Sequence, residues 1–274
     1  MKAYLEIIKK TAEQNQTFNI CDYYGKDGLL YCGECNTPKQ FNGPIFGIVP
    51  VPCECQKKKN AEAEEKRKEK ERLNLIAKRK NEAFFSDKLR EMSFDKDDGT
   101  SEYTLKMLKY VEKFEEFKEE GKGLLLFGNT GTGKTFFACC IANALLDAGY
   151  KVKVTKFSRI ANEIQATFEE KQAVLDSLNR YDLLVIDDFD AERDTSFMNE
   201  IVYDVIDGRN TARKPMIVTT NLTGAEMNSP QTKAQQRVIS RILECSIPIE
   251  IKGNDRRRVS FAKNYAKEIK RLEV

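Results

Sequence analysis

From Gly123 onward the chain alternates short apolar runs with longer segments of helical character. GLLLF (123–127) is followed by a glycine-rich turn and a helical segment from Lys134 to about Ala148. KVKVTKF (151–157), DLLVI (182–186), MIVTT (216–220) and the short IPIEI (247–251) are the later apolar runs, with helical segments reaching about Asn179 and spanning about Ser196 to Thr211 between them. Strands of four or five apolar residues separated by helices predict a parallel sheet covered on both faces, because a strand buried twice has no polar alternation to show. Upstream, Leu105, Leu108, Val111 and Phe114 recur at helical spacing and predict a stripe packed on the edge of this α/β part. QKKKNAEAEEKRKEKERLNLIAKRKNEAFF (56–85) has no Gly or Pro and offers Glu62–Lys66 and Glu64–Lys68 pairs, which predicts a mostly solvated helix. Beyond Arg257 only one further helix is expected, with Phe261, Tyr265, Ile269 and Leu272 along one face. The pattern divides the chain into a cysteine-containing module at 1–55, a charged helical connector at 56–120 and an α/β domain at 121–274.

The 274 residues suffice for one domain of about 150 residues and a smaller module. Forty-six Lys and Arg against 43 Asp and Glu leave a net charge of +3, so any basic surface for a nucleic acid must be local. His is absent, which removes the commonest general base and metal ligand and leaves Cys and carboxylates for any metal. The first 16 residues hold no apolar core of signal-peptide length, and no run approaches a membrane span. The chain reads as cytoplasmic with no membrane partner, and in a reducing compartment its eight Cys are metal ligands or buried thiols rather than disulfides.

Gly128-Asn129-Thr130-Gly131-Thr132-Gly133-Lys134-Thr135 fits G-x-x-x-x-G-K-[ST] between a strand and a helix. Such a loop turns its N–H groups and the helix N-terminus toward phosphates, while Lys134, expected to face solvent rather than the core, adds a charge at the β and γ positions and Thr135 ligates magnesium. Asp187 and Asp188 emerge from an apolar strand at the carboxyl edge of the sheet, where ligands bind in open α/β folds. Asp187 is the magnesium-side acid and Asp188 the carboxylate facing the attacking water. The expected cofactors are therefore ATP and Mg.

Cys32-x-x-Cys35 and Cys53-x-Cys55 flank a Pro- and Gly-containing loop with little apolar mass, so the segment needs a staple. Zinc held by Cys32, Cys35, Cys53 and Cys55 would supply it, with Lys57, Lys58 and Lys59 offsetting the charge and Cys21 as an alternative ligand. Cys139, Cys140 and Cys245 read as buried thiols.

The phosphate loop, LLVIDDF, IVTTN, RVISRIL and the closing G-x-D-x-R run, taken in this order, resemble the bacterial and phage replicative helicase loaders of the DnaC and DnaI type over about residues 121–262. The resemblance implies an AAA+ P-loop NTPase core without a helical lid. It implies that Asn221 senses the γ-phosphate, that Arg241 (or Arg237) reaches a neighbouring subunit's nucleotide, and that Arg257, or one of its neighbours Arg256 and Arg258, is the second sensor, with a DNA-contacting basic cluster as the competing reading. It further implies an N-terminal zinc module that grips a hexameric replicative helicase, self-association through the AAA+ interface, and single-stranded DNA at Lys151, Lys153, Lys156 and Arg159. Asp188 stands where AAA+ proteins usually have a longer Glu, which implies slow, switch-like hydrolysis. The alternatives are an IstB-type transposition regulator acting on duplex DNA and, from the enzyme class, a phosphotransferase; the inserted strand-and-helix unit and Arg241 speak against the latter.

Overall fold

The computed structural model describes residues 19–97, 101–166, 171–189, 196–230 and 232–258, together with Tyr265, Ile269 and Arg271. The N-terminal run 1–16, Phe261 and Leu272 lie outside the described residues; Tyr265 and Ile269 are exposed. The chain forms two compact units, Met1–Asn74 and Leu75–Val274. Their boundary falls inside one helix, whereas composition alone suggested 55 and 120.

The first unit holds two small antiparallel pairs, β1 (Tyr23–Tyr24) with β2 (Leu30–Tyr31) and β3 (Gln40–Gly43) with β4 (Gly47–Pro50). Among its described residues Leu30, Cys32 and Cys53 are the buried hydrophobic ones, too few for a conventional core. Phe41, Ile45, Phe46 and Ile48 stand exposed on the second hairpin. The helix α1 (Glu54–Ala83) follows. Its first two-thirds is solvated as the charge pattern predicts, with Glu64 taking Arg67 at 2.8 Å and Lys68 at 3.7 Å. Exposed pairs of this kind add only about 0.3–0.5 kcal/mol each.

The second unit begins with the end of α1, where Ile76 and Ala83 turn inward. It continues through α2 (Asp87–Arg90), α3 (Tyr103–Glu112) and α4 (Phe114–Glu120) into the sheet. The strands are β5 (Gly123–Phe127), β6 (Val152–Thr155), β7 (Leu183–Ile186), β8 (Met216–Thr219) and β9 (Ser246–Glu250), all parallel in the order β6-β7-β8-β5-β9. The interleaved helices are α5 (Lys134–Asp147), α6 (Phe157–Ala166), α7 (Lys171–Leu178), α8 (Ser196–Thr211), α9 (Gly224–Asn228) and α10 (Lys233–Cys245). The unit that separates the phosphate loop from Asp187 in sequence, β6, takes the sheet edge. In space the strand inserted between β5 and β7 is β8. Pro248, which has no N–H for a ladder, sits on the opposite edge strand, β9.

Alternate residues along each strand feed two separate cores. Leu124, Leu126, Leu183, Val185 and Ile217 pack with α5 and with Phe84, Leu89, Met107 and Phe114. Leu125, Leu184, Ile186, Met216 and Val218 pack with residues of α6, α7, α8 and α10. The result is a three-layer sandwich, as the doubly buried apolar runs require.

Two expectations are corrected. In α3 the buried face is Tyr103, Met107 and Tyr110, continuing to Phe114, whereas Leu105 is 69% and Leu108 41% exposed. Both stripes have helical spacing. The one that wins carries aromatic rings and Met, which remove more area from water per residue. Residues 75–120 are also not a free connector, since Ala83, Phe84, Leu89, Tyr103 and Met107 belong to the sheet's core. A fragment of residues 75–274 should therefore melt cooperatively, whereas residues 101–274 should lose several kcal/mol, because deleting even one large buried side chain costs about 2–5 kcal/mol. Denaturant midpoints of the two fragments check this.

Candidate nucleotide site and cysteine cluster

The phosphate loop leaves β5 at Gly128 and closes onto α5. Gly128, Gly131 and Gly133 have φ of 126°, 81° and 105°, which only glycine adopts without strain. A Cβ on Gly131 would lie 2.0 Å from Asp255 Oδ1, so the loop passes directly beneath the turn that carries the arginine run. Lys134 Nζ donates to the carbonyls of Gly128 (2.8 Å) and Asn129 (2.7 Å) and is 6% exposed. The expectation of a solvent-facing lysine is thus corrected: its ammonium is folded under the loop, where backbone carbonyls replace water. Thr132 is likewise buried, its hydroxyl donating to the Asn129 carbonyl, while Thr130 lines the cavity above.

Asp187 is 5% exposed at the end of β7. Its Oδ1 accepts from the hydroxyls of Thr135 (2.6 Å) and Thr219 (2.8 Å), so the acid and the hydroxyl expected at magnesium are in contact. Thr219 also accepts from the Asp188 N–H at 2.8 Å. Asp188 is left-handed at φ 64°, a conformation uncommon for a residue with a Cβ. One of its carboxylate oxygens takes Lys156 Nζ at 2.8 Å and the other Asn221 Nδ2 at 3.4 Å.

These groups line a cavity of about 1000 Å³, within the size range of small-molecule sites. Thr130, Gly131, Gly133, Lys134, Thr135, Asp187, Asp188 and Asn221 form its polar side, with Arg256 and Arg257 also reaching it. The opposite wall is Phe85, Ser86, Lys88, Leu89 and Met92, which sequence reasoning missed. Two contacts place this wall. Asn143 of α5, buried, donates to the carbonyls of Arg90 (3.1 Å) and Met92 (2.8 Å), and the Arg159 guanidinium stacks 4.8 Å over the Phe85 ring. A lone Asn inside the apolar run IANALL was the legible signal.

The arginines separate. The Arg256 N–H donates to the Gly131 carbonyl at 3.0 Å. Arg257 shares the cavity, while the Arg258 side chain is 90% exposed and lies 3.6 Å from Asp255. Arg241 is not among the cavity residues; it pairs with Asp207 (3.3 Å) and Glu244 (2.8 Å) on the outer face of α10, and Arg237 on the same helix is exposed. Of the four cations read as a DNA patch, Lys156 holds Asp188, Arg159 stacks on Phe85, Lys153 donates to the Glu82 carbonyl, and Lys151 is exposed.

In the first unit, the Sγ atoms of Cys32, Cys35, Cys53 and Cys55 all lie within 4.8 Å of one another; Cys21 is exposed and no member of this cluster. Cys32–Cys55 and Cys53–Cys55 are 3.5 and 3.2 Å apart, near the roughly 3.8 Å edge of a tetrahedron with Zn–S of about 2.3 Å. The donor set fits zinc. Cys32-x-x-Cys35 bends through Asn36 in the left-handed region at φ 53°. The tight Cys53-x-Cys55 spacing works because Cys53 precedes α1 and Cys55 lies in its first turn, with the Lys57 N–H donating to the Cys53 carbonyl. The Thr37 hydroxyl, joined by the Cys55 N–H, holds the Cys35 thiol down at about 5. Hydrogen bonds that the Cys55 thiol donates to the Cys53 and Cys32 sulfurs favour its protonated form and push it up. Lys39, buried and 2.6 Å from Asp22, is a cation that feels the charge of the cluster. Desolvation pulls its ammonium down, but Asp22 and the cysteines outweigh this and raise it. Of the three lysines expected to offset the charge, Lys57 pairs with Glu54 and Lys59 with Glu34.

A parallel sheet in this order, with a glycine-rich phosphate loop after β5 and paired acids at the end of β7, on the far side of the intervening β8, defines a P-loop nucleotide-binding fold of the AAA+ type. The model of the IstB-like ATP binding protein family matches residues 57–263, and the chain belongs to that family. It is similar to the replicative helicase loader DnaI of Bacillus subtilis, 32% identical over 183 residues, which are 60% of this chain and 58% of that protein. The replicative helicase loader DnaC of Escherichia coli is 28% identical over 141 residues, 50% of this chain and 55% of the relative. Among solved structures, the DnaC helicase loader superposes with a TM-score of 0.54 at 23% identity, covering 61% of this chain and 100% of that one, a likeness of fold. The chain spans less than two thirds of the length of the curated relatives it matches.

Thr219 is the shared hydroxyl between the two acids. Thr219→Val should cost about 1–3 kcal/mol by leaving a buried carboxylate oxygen and the Asp188 N–H short of partners, and Thr219→Ser should recover most of it. Urea unfolding with unchanged m-value is the check.

Proposed function

We propose that the chain is an ATP-dependent loader of a hexameric replicative helicase onto single-stranded DNA. The observation that carries the nucleotide half is the Thr135–Asp187–Thr219 junction at the mouth of a cavity walled by the phosphate loop. In this reading, ATP lays its phosphates along the loop N–H groups, and Lys134 exchanges loop carbonyls for β- and γ-oxygens. Thr135 and Asp187 are the residues that would hold magnesium, which would supply charge neutralisation along the phosphates. The base lies against Phe85, Leu89 and Met92, and Asn221 with Arg256 or Arg257 faces the γ-phosphate side. Hydrolysis is slow and switch-like: Asp188 is one methylene shorter than Glu, and both of its oxygens are already engaged by Lys156 and Asn221. Before it can orient a water it must exchange a partner.

The helicase half rests on the names of the relatives and on the first unit's own features. A cysteine-stapled module bearing exposed Phe41, Ile45, Phe46 and Ile48 presents an apolar patch that suits a protein partner. Arg241, on an outer helix face and away from the cavity of its own chain, suits action on a neighbouring subunit's nucleotide. Its surface pairs with Asp207 and Glu244 are weak enough to exchange. Cytoplasmic residence follows from the same assignment. Among the described residues no helix is long and apolar enough to cross a membrane.

Ligand linkage tests the nucleotide reading. ATP with magnesium at 100 times its Kd should stabilise the chain by about 2.7 kcal/mol, seen as a rise of several degrees in Tm. Lys134→Ala should abolish the rise while still unfolding cooperatively; an unchanged rise would refute the assignment.

The metal and partner readings are tested together. Protein purified without chelator should carry about one zinc per chain, and Cys32→Ser should lose it and helicase capture together while keeping the ATP-induced Tm shift. Phe46→Ser should keep zinc and weaken capture. Zinc with no capture of a hexameric helicase, with or without ATP, would leave the metal site standing and turn the assignment toward a transposition-type regulator.

A further inference from the structure

Asp97 lies outside every motif of the nucleotide site, yet its side chain is only 2% exposed. One of its carboxylate oxygens, Oδ2, accepts from the Thr104 hydroxyl. The other, Oδ1, is buried with no hydrogen-bond partner among the described residues, where the opposite charge beside it is Arg256 Nη1 at 3.6 Å. Arg256 in turn lines the nucleotide cavity, and its N–H is bonded to the Gly131 carbonyl of the phosphate loop. The Lys252 N–H, a few residues earlier, donates to the Tyr103 hydroxyl at 3.1 Å, so the strand leading to Arg256 runs along the start of α3. A buried carboxylate with one oxygen unsatisfied is costly unless a cation compensates it, and a half-exposed arginine loses rotamer freedom only when something holds it.

We propose that Asp97 is the positioning residue of Arg256, holding its guanidinium over the cavity so that Arg256, rather than its neighbours, reads the terminal phosphate. The inference rests on the ATP reading of the cavity. Asp97 grips the guanidinium from behind while the Gly131 carbonyl fixes the backbone. The planar fork has five donors, so the pairing with Asp97 leaves N–H groups for phosphate oxygens. Arg258 lies 3.6 Å from Asp255 Oδ2, but that side chain is 90% exposed and outside the cavity lining, and the Arg257 N–H donates to Asp255 Oδ1 at 3.0 Å. Asp97 does not touch the nucleotide; it acts through Arg256.

The test is a double-variant cycle read as preference for a triphosphate over a diphosphate, from displacement of a fluorescent adenine nucleotide by ATP and by ADP. Arg256→Ala should lower the ATP-over-ADP preference about tenfold, the size of one charge-assisted contact. Asp97→Asn should lower it in the same direction with ADP affinity little changed, and the double variant should match Arg256→Ala alone. Thr104→Val, which removes the other bond to Asp97, should lower Tm without moving the preference. If Asp97→Asn does not fold, Asp97→Glu should give a partial loss. Equal losses for ATP and ADP, additive effects in the double variant, or an unchanged preference in folded Asp97 variants would overturn the proposal. A parent chain that discriminates normally while Asp97→Asn does likewise removes this inference alone; a parent that binds neither nucleotide removes the reading beneath it.

Discussion

A buried carboxylate that must be satisfied organises the carboxyl edge of the sheet. Asp187 sits at the end of an apolar strand with almost no access to water, where a polar side chain left without hydrogen-bond partners is costly. Two hydroxyls meet it: Thr135 arrives from the first turn of α5, and Thr219 from the end of β8. Because β8 lies between β5 and β7, the three strand ends are neighbours, and the two bonds fix the phosphate loop, both acids and Asn221 in one register. Thr219 extends the tie by accepting the Asp188 N–H, which helps hold that residue in its left-handed backbone. Such a joint fixes these groups around the cavity ahead of any ligand, the kind of preorganisation on which the proposed nucleotide binding would draw.

The rest of the cavity depends on a segment that precedes the sheet. Residues 85–92 close the apolar side because α5 presents Asn143 to two of their carbonyls and because Phe84 and Leu89 are part of the core beneath. Anything that shifts this segment changes the wall of the nucleotide cavity. The final stretch, from β9 to Arg258, closes the site by a different device, with Asp255 against Gly131 and Arg256 between the loop and Asp97.

The first unit follows other physics. With three buried hydrophobic residues among those described it has little apolar burial to hold a shape, and four converging sulfurs, a buried Lys39–Asp22 pair and a helix start take that role. The family match begins at residue 57, beyond all four cysteines. The function of this unit therefore rests on its own geometry rather than on the shared α/β fold.

Much of the site was legible because its parts are local in sequence. The phosphate loop needs glycines at positive φ followed by a helix, and those residues are contiguous. The apolar strands reveal their double burial by lacking polar alternation, and paired cysteines announce a staple wherever apolar mass is scarce. Tertiary structure alone decided the rest, since each remaining question compares surfaces that sequence spacing leaves equivalent. Two helical stripes in α3 had the same period, and only packing chose Tyr103, Met107 and Tyr110 over Leu105 and Leu108. Lys134 reads as a solvent-facing ligand until the loop folds over it and supplies carbonyls in place of water. That Arg256 and Arg257 line the cavity while Arg258 does not, and that a buried carboxylate lies 3.6 Å from Arg256, depends on contacts such as that between positions 97 and 256, a separation at which no local pattern carries information.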